Sequence, residues 1–146
     1  MRVRTILLPL AVVTALVLSS LLATTASAGG QVFQLTLTGA AEAPGPGDPD
    51  GTGTATLTFN RGQGEVCYDY TVSGVEPLTA AHIHVAPAGS PGPVVIPLPP
   101  TSATGGSGCV SADRELIKAI TKDPAAYYFN VHNAEFPAGA VRGQLG

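Results

Sequence analysis

The chain has 146 residues, with ten acidic and seven basic side chains, a net charge of −3 with histidine neutral, and two cysteines. It has no basic cluster, which argues against nucleic acid or an anionic membrane surface as a partner. The length suits one compact domain.

Residues 1–28 read as a secretory signal peptide. Arg2 and Arg4 make a basic start, ILLPLAVVTALVLSSLLATT is apolar, and ASAGG supplies small residues for cleavage after about Ala28. The arginines are spaced R-V-R, unlike a twin-arginine signal, and no cysteine near the cleavage point offers a lipid anchor. No apolar run near the C-terminus is long enough to span a bilayer. The expected product is a secreted domain over residues 29–146, with no transmembrane anchor and more acidic than the whole chain, since cleavage takes two arginines.

Period-two alternation dominates the rest. In QVFQLTLTG, Phe33, Leu35 and Leu37 share a side; in GTATLTFN, Ala55, Leu57 and Phe59 do. In EVCYDYTV, Val66, Tyr68, Tyr70 and Val72 oppose Cys67, Asp69 and Thr71. Such patterns rich in Thr, Val, Tyr and Phe mark half-buried antiparallel strands. Gly and Pro punctuate them. GDPDGTG puts Asp48 and Asp50 before a glycine but lacks the later ligands of a calcium loop, so it reads as a turn. AAHIHVA alternates again. PLPPTSATGGSG reads as a surface loop, and SADRELIKAITKDP as a short helix, with Ser111 or Asp113 as cap and Pro124 as stop. AYYFNVHN and GAVRGQL return to strand. About seven antiparallel strands with one helix predict an all-β, Greek-key or immunoglobulin-like sandwich.

Cys67 and Cys109 are the two cysteines, and in an exported chain a disulfide is preferred over two buried thiols. The three histidines carry the chemistry. If Ala81, Ile83 and Val85 face the core, His82 and His84 share the other face, because side chains two apart on a strand point the same way. Likewise His132 falls with Tyr128 and Asn130, opposite Tyr127, Phe129 and Val131. If the two strands are neighbours, three imidazoles suit Cu(II), or less readily Zn(II), with an open position. The alternative is a metal-free polar cluster. Arg142 could draw anions to such a site or pair with Glu135 or Asp69, and Glu135 could accept a hydrogen bond that orients a ring. No Ser-His-Asp arrangement and no phosphate-binding glycine loop is evident, so no catalytic residue is assigned.

LTGAAEAPGPGDPDGTGTATLTFN, VCYDYTVSGVEPLTAAHIHVAPAGSPGPVVIPL, GCV and YYFNVHNAEFPAGAVRGQL together resemble the CHRD domain, a module of chordin that also occurs in secreted bacterial proteins. The most specific elements are His-Ile-His, Gly-Pro-Val-Val, Asn-Val-His and Arg-Gly-Gln-Leu. The resemblance spans about Gln31 to Leu145 and implies an all-β, immunoglobulin-like or barrel-like fold without a settled activity. A lesser likeness is to copper–zinc superoxide dismutase, which also has a His-X-His pair on a strand, a later copper-ligating histidine and an arginine near the metal. This chain lacks a fourth, bridging histidine and a zinc-loop cluster. The expected function is a secreted binding module with a three-histidine Cu/Zn site. The alternatives are a metal-free module contacting an extracellular protein or envelope component, and, ranked last, a dismutase-like enzyme.

Overall fold

The computed structural model describes residues 29–146, so the signal-peptide reading lies outside the described residues. Eight strands run β1 (Gln31–Thr38), β2 (Thr52–Asn60), β3 (Glu65–Ser73), β4 (Leu78–Val85), β5 (Val94–Pro97), β6 (Gly105–Ser111), β7 (Tyr127–Asn133) and β8 (Val141–Gln144). One helix, α1 (Arg114–Lys122), separates β6 from β7. The strands form one antiparallel sheet in the order β5-β4-β7-β8-β1-β2-β3-β6.

The alternating apolar residues build the interior. Leu35, Leu37, Ala55, Leu57, Phe59, Val66, Tyr68, Tyr70 and Val72 are all buried, and one face of the sheet is thereby removed from water. The sheet curls around that face. Tyr70 of β3 meets Phe129 of β7 at 5.0 Å between ring centres, although three strands lie between them in the sheet order. The segment between β5 and β6 closes the gap. Its Leu98 N–H and Ala103 carbonyl bond to Ala81 and Leu78 of β4, while the Pro99 and Leu98 carbonyls accept from the Tyr68 and Tyr70 hydroxyls of β3. The result is close to a barrel.

Two expectations are corrected here. The strands belong to one continuous curled sheet, whereas the sequence reading anticipated the two packed sheets of an immunoglobulin-like sandwich. The supposed surface loop PLPPTSATGGSG is structural at both ends: Leu98 is fully buried, and Gly105 to Gly108 open β6. Glycine serves in this strand because backbone and ring come close together. A Cβ on Gly106 would lie 2.7 Å from the Tyr70 hydroxyl and 2.9 Å from the Pro99 carbonyl.

The helix forms where its spacing predicts. Asp113 accepts from the Glu115 and Leu116 amides, satisfying two donors that the first turn leaves free. Ile117 and Ile120 plug into the core, and Pro124 follows the last turn. Cys67 and Cys109 pair directly across β3 and β6 and are disulfide-bonded. Alkylation of the native protein should therefore add no mass until a reductant is present; two modified thiols in unreduced protein would contradict the bridge.

Candidate metal centre

Strands β4 and β7, distant in sequence, lie side by side. Their register pairs Ala80 with His132, His82 with Asn130 and His84 with Tyr128. Ala81, Ile83, Phe129 and Val131 are buried inward, Val85 only partly, and so the three histidines project together from the opposite face. An extra residue at Val95 of β5, where Ile83 and His84 pair with Ile96 and Val94, bends the ladder beside His84.

The rings converge. Centre-to-centre distances are 4.9 Å for His82 and His132, 5.5 Å for His82 and His84, and 6.0 Å for His84 and His132. One ring nitrogen from each lies within 4.8 Å of the other two. Backbone carbonyls set the tautomers. His84 Nδ1 donates to the Gly92 carbonyl at 2.8 Å, and His132 Nδ1 donates to the Pro137 carbonyl at 3.1 Å. Each Nε2 is thereby left with a lone pair. His84 Nε2 is buried and has no partner. His82 Nδ1 lies 3.1 Å from His132 Nε2 and must hold the proton between them while that pair is hydrogen-bonded.

The face that carries the rings is covered, not solvated as strand alternation alone suggests. His84, His132, Asn130 and Arg142 are all buried. Tyr128, on the middle strand, stacks parallel to His84 at 4.7 Å, and the Arg142 guanidinium lies 3.4 Å from the Tyr128 ring centre. Arg142 donates to the carbonyls of Ser90 and Pro87 and to Gln144 Oε1, each at 2.9 Å. Those contacts tie down the loop that carries Gly92, and the Gly92 carbonyl in turn holds His84. Arg142 therefore pairs with neither Glu135 nor Asp69, and its donors point at the loop. Glu135 and Asp69 are exposed, and among the described residues Glu135 makes no hydrogen bond to a ring. Carbonyl oxygens orient the rings instead.

Sequence reasoning missed Glu42. It lies in the Pro- and Gly-rich turn after β1, yet it is buried beneath the loop that follows β7, and nothing local in the sequence marks it. Burial pushes its carboxyl up to about 7, although Asn130, Arg142 and the Ala43 amide pull the other way.

Burial also lowers two of the histidines. His82 falls to about 4, through desolvation first and then the neighbouring His132 and His84 rings. His132 falls as well, through desolvation and His84, against the upward pull of the Pro137 carbonyl. A ring that is harder to protonate folded than unfolded stabilises the fold fully above its unfolded value of 6.5. That contribution is lost as the pH falls toward about 4. Urea titrations of metal-free protein should show His82→Phe removing much of the stability loss between those two pH values.

A family model of the CHRD domain matches residues 33–145, which is nearly all of the described chain. The chain belongs to the CHRD-domain family. No curated protein and no solved structure matches it. Within this CHRD domain Asn-Val-His lies in β7, Arg-Gly-Gln-Leu runs through the end of β8, and His-Ile-His lies in the C-terminal half of β4, so three of the signature motifs build the histidine face. Among the described residues no helix is long and apolar enough to cross a membrane.

The donor set fits a borderline metal. Three uncharged imidazoles suit copper or zinc. The 3.1 Å between His82 Nδ1 and His132 Nε2 is the separation of two nitrogens each ~2.0 Å from one ion at roughly 100°. His82 needs only to carry its proton on Nε2 for all three nitrogens to present lone pairs. A second group, Glu65, Cys67 and Cys109 on β3 and β6, offers no comparable set, because both sulfurs are in the disulfide.

Proposed function

We propose that this CHRD domain is a secreted binding module that holds one Cu(II), or failing that Zn(II), through His82, His84 and His132. The observation that carries the reading is the buried, unpartnered His84 Nε2 on a ring that belongs to a cluster of three histidines with ligand nitrogens within 4.8 Å of one another. A buried acceptor without a partner is costly, and a cation coordinated there removes the cost. The disulfide fits an oxidising, extracellular setting.

Titration of metal-free protein with copper, followed by absorbance and calorimetric heat, tests the proposal. One equivalent should bind to wild type and none to the triple His→Ala variant. Equal uptake would dismiss the site and leave an interaction module facing an extracellular protein or envelope component. Binding is favoured over dismutation because Arg142, the side chain that would draw an anion to the metal, has its donors on the covering loop. Superoxide turnover by copper-loaded protein would reverse that preference.

The pH dependence follows from the depressed rings. Protons compete with the metal for neutral imidazole, so binding weakens on acidification. Because His82 and His132 are already hard to protonate in the fold, the loss should set in well below the ordinary histidine value of ~6.5. Copper uptake measured across the acidic range should hold at pH 6 and fail below about pH 5.

A further inference from the structure

Beside the histidine face lies a cavity of about 280 Å³ between the turn Glu42–Pro46 and the loop Glu135–Gly139. Pro44, Pro46, Phe136, Pro137 and Ala138 make its wall largely apolar, and two acidic residues, the exposed Glu135 and the buried Glu42, also line it. Glu42 is 9% exposed and its Oε1 has no hydrogen-bond partner, although Asn130 and the Ala43 amide lie close enough to favour its charged form. Its charge is also unmatched: the ion pairs among the described residues are Arg61–Glu115 and Lys118–Glu115, both on the far exposed surface. Arg142 is near enough to be felt, but its donors go to Ser90, Pro87 and Gln144. The backbone makes room for this carboxyl. Gly139 has φ +148°, and a Cβ there would collide with the Glu42 carboxyl group.

A buried carboxyl without a cation is held at a cost, and an apolar-walled hollow beside it selects what could relieve that cost. We infer that this cavity binds a primary ammonium carried on a short apolar stem, such as a lysine side chain or a small free amine. The stem packs on the prolines and Phe136, the ammonium pairs with Glu42, and the half-buried aromatic ring adds a cation–π contact. The volume lies just below the roughly 300–1,000 Å³ usual for drug-sized ligands, which suits one side chain or a small amine. The cavity adjoins the rings, since the carbonyl of its wall residue Pro137 holds His132, but the proposal does not depend on the metal reading.

Metal-free exported protein, labelled with ¹⁵N, is titrated with n-butylammonium chloride and with n-butanol. Saturable shifts confined to the amides around Ala43, Gly45, Phe136 and Gly139 are expected with the ammonium. Affinity should drop at least roughly tenfold for butanol and for Glu42→Gln, and change little for Asp69→Asn, an exposed carboxylate outside the cavity. Nα-acetyl-lysine amide separates the two sources. Binding as tight as butylammonium assigns a lysine side chain, whereas weaker binding assigns a free amine. Equal affinity of butanol and butylammonium, or of wild type and Glu42→Gln, overturns the proposal. If Glu42→Gln does not fold, the butanol comparison on wild type and the weakened binding expected of Phe136→Ala decide it alone.

Discussion

Replacing His84 by alanine should lower copper affinity more than ~100-fold, beyond the 10–100-fold typical of a residue that only orients a ligand. His84 is the ring whose free nitrogen is most completely buried, so its removal takes one ligand of three and opens a hollow between Tyr128 and the Gly92 carbonyl. The contrast variant is Tyr128→Phe. It keeps the ring stacked on His84 and loses only the hydroxyl that accepts from the Gly92 amide at 3.3 Å. Calorimetric titration should place Tyr128→Phe between wild type and His84→Ala. Similar affinities for all three proteins would mean that copper binds somewhere else.

Arg142→Met should be the most destabilising single change on this face, costing about 3–5 kcal/mol in urea unfolding. The guanidinium is 1% exposed and serves two loop carbonyls, the Gln144 amide oxygen and the Tyr128 ring at once. Methionine fills much of the volume but leaves those three acceptors without their donor. Against a typical total of 5–15 kcal/mol this is a large fraction. Arg142→Lys restores charge without the planar fork and should recover only part of the loss. Because the loop that Arg142 holds also carries Gly92, copper affinity should fall alongside stability. Unchanged stability in Arg142→Met would show that the loop is held by other contacts.

The sequence made faces legible and left neighbours illegible. Alternation in EVCYDYTV and AAHIHVA tells inside from outside, because a strand has a period of two whatever it pairs with. It also placed all three histidines on one kind of face and located the helix from Asp113 to Pro124. What it could not supply is the pairing of β4 with β7, since His82 and His132 are 50 positions apart and only the closed sheet joins them. The same limit explains the sheet itself: a strand reads alike whether its sheet is one of two or curls upon itself. Burial of the polar face was hidden for a further reason. The cover consists of loops rich in Pro and Gly, and loops carry no periodicity that predicts what they lie upon. Glu42 and the partners of Arg142 belong to that cover. Composition misled once, in β6, where glycines that read as a loop are the residues slim enough to run past Tyr70.

The position of β8 governs when the histidine ladder is locked into the sheet. This strand follows all the others in chain order, yet it sits in the interior of the sheet, joining β7 on one side to β1 on the other. As the chain is synthesised, the β1–β2–β3 meander can form early from local pairings. The β4–β7 ladder must wait for a distant segment, and its link to the meander waits longer still. Bringing remote segments together is slow, because the chain must be ordered over a long span before the contacts reward it. A chain halted after Asn133 would already contain His82, His84 and His132. It would lack Arg142, Gln144 and the strand that ties the histidine ladder to the rest of the barrel. The final strand therefore seals a ladder that β4 and β7 form between themselves, and it adds Arg142, which holds the loop over the rings.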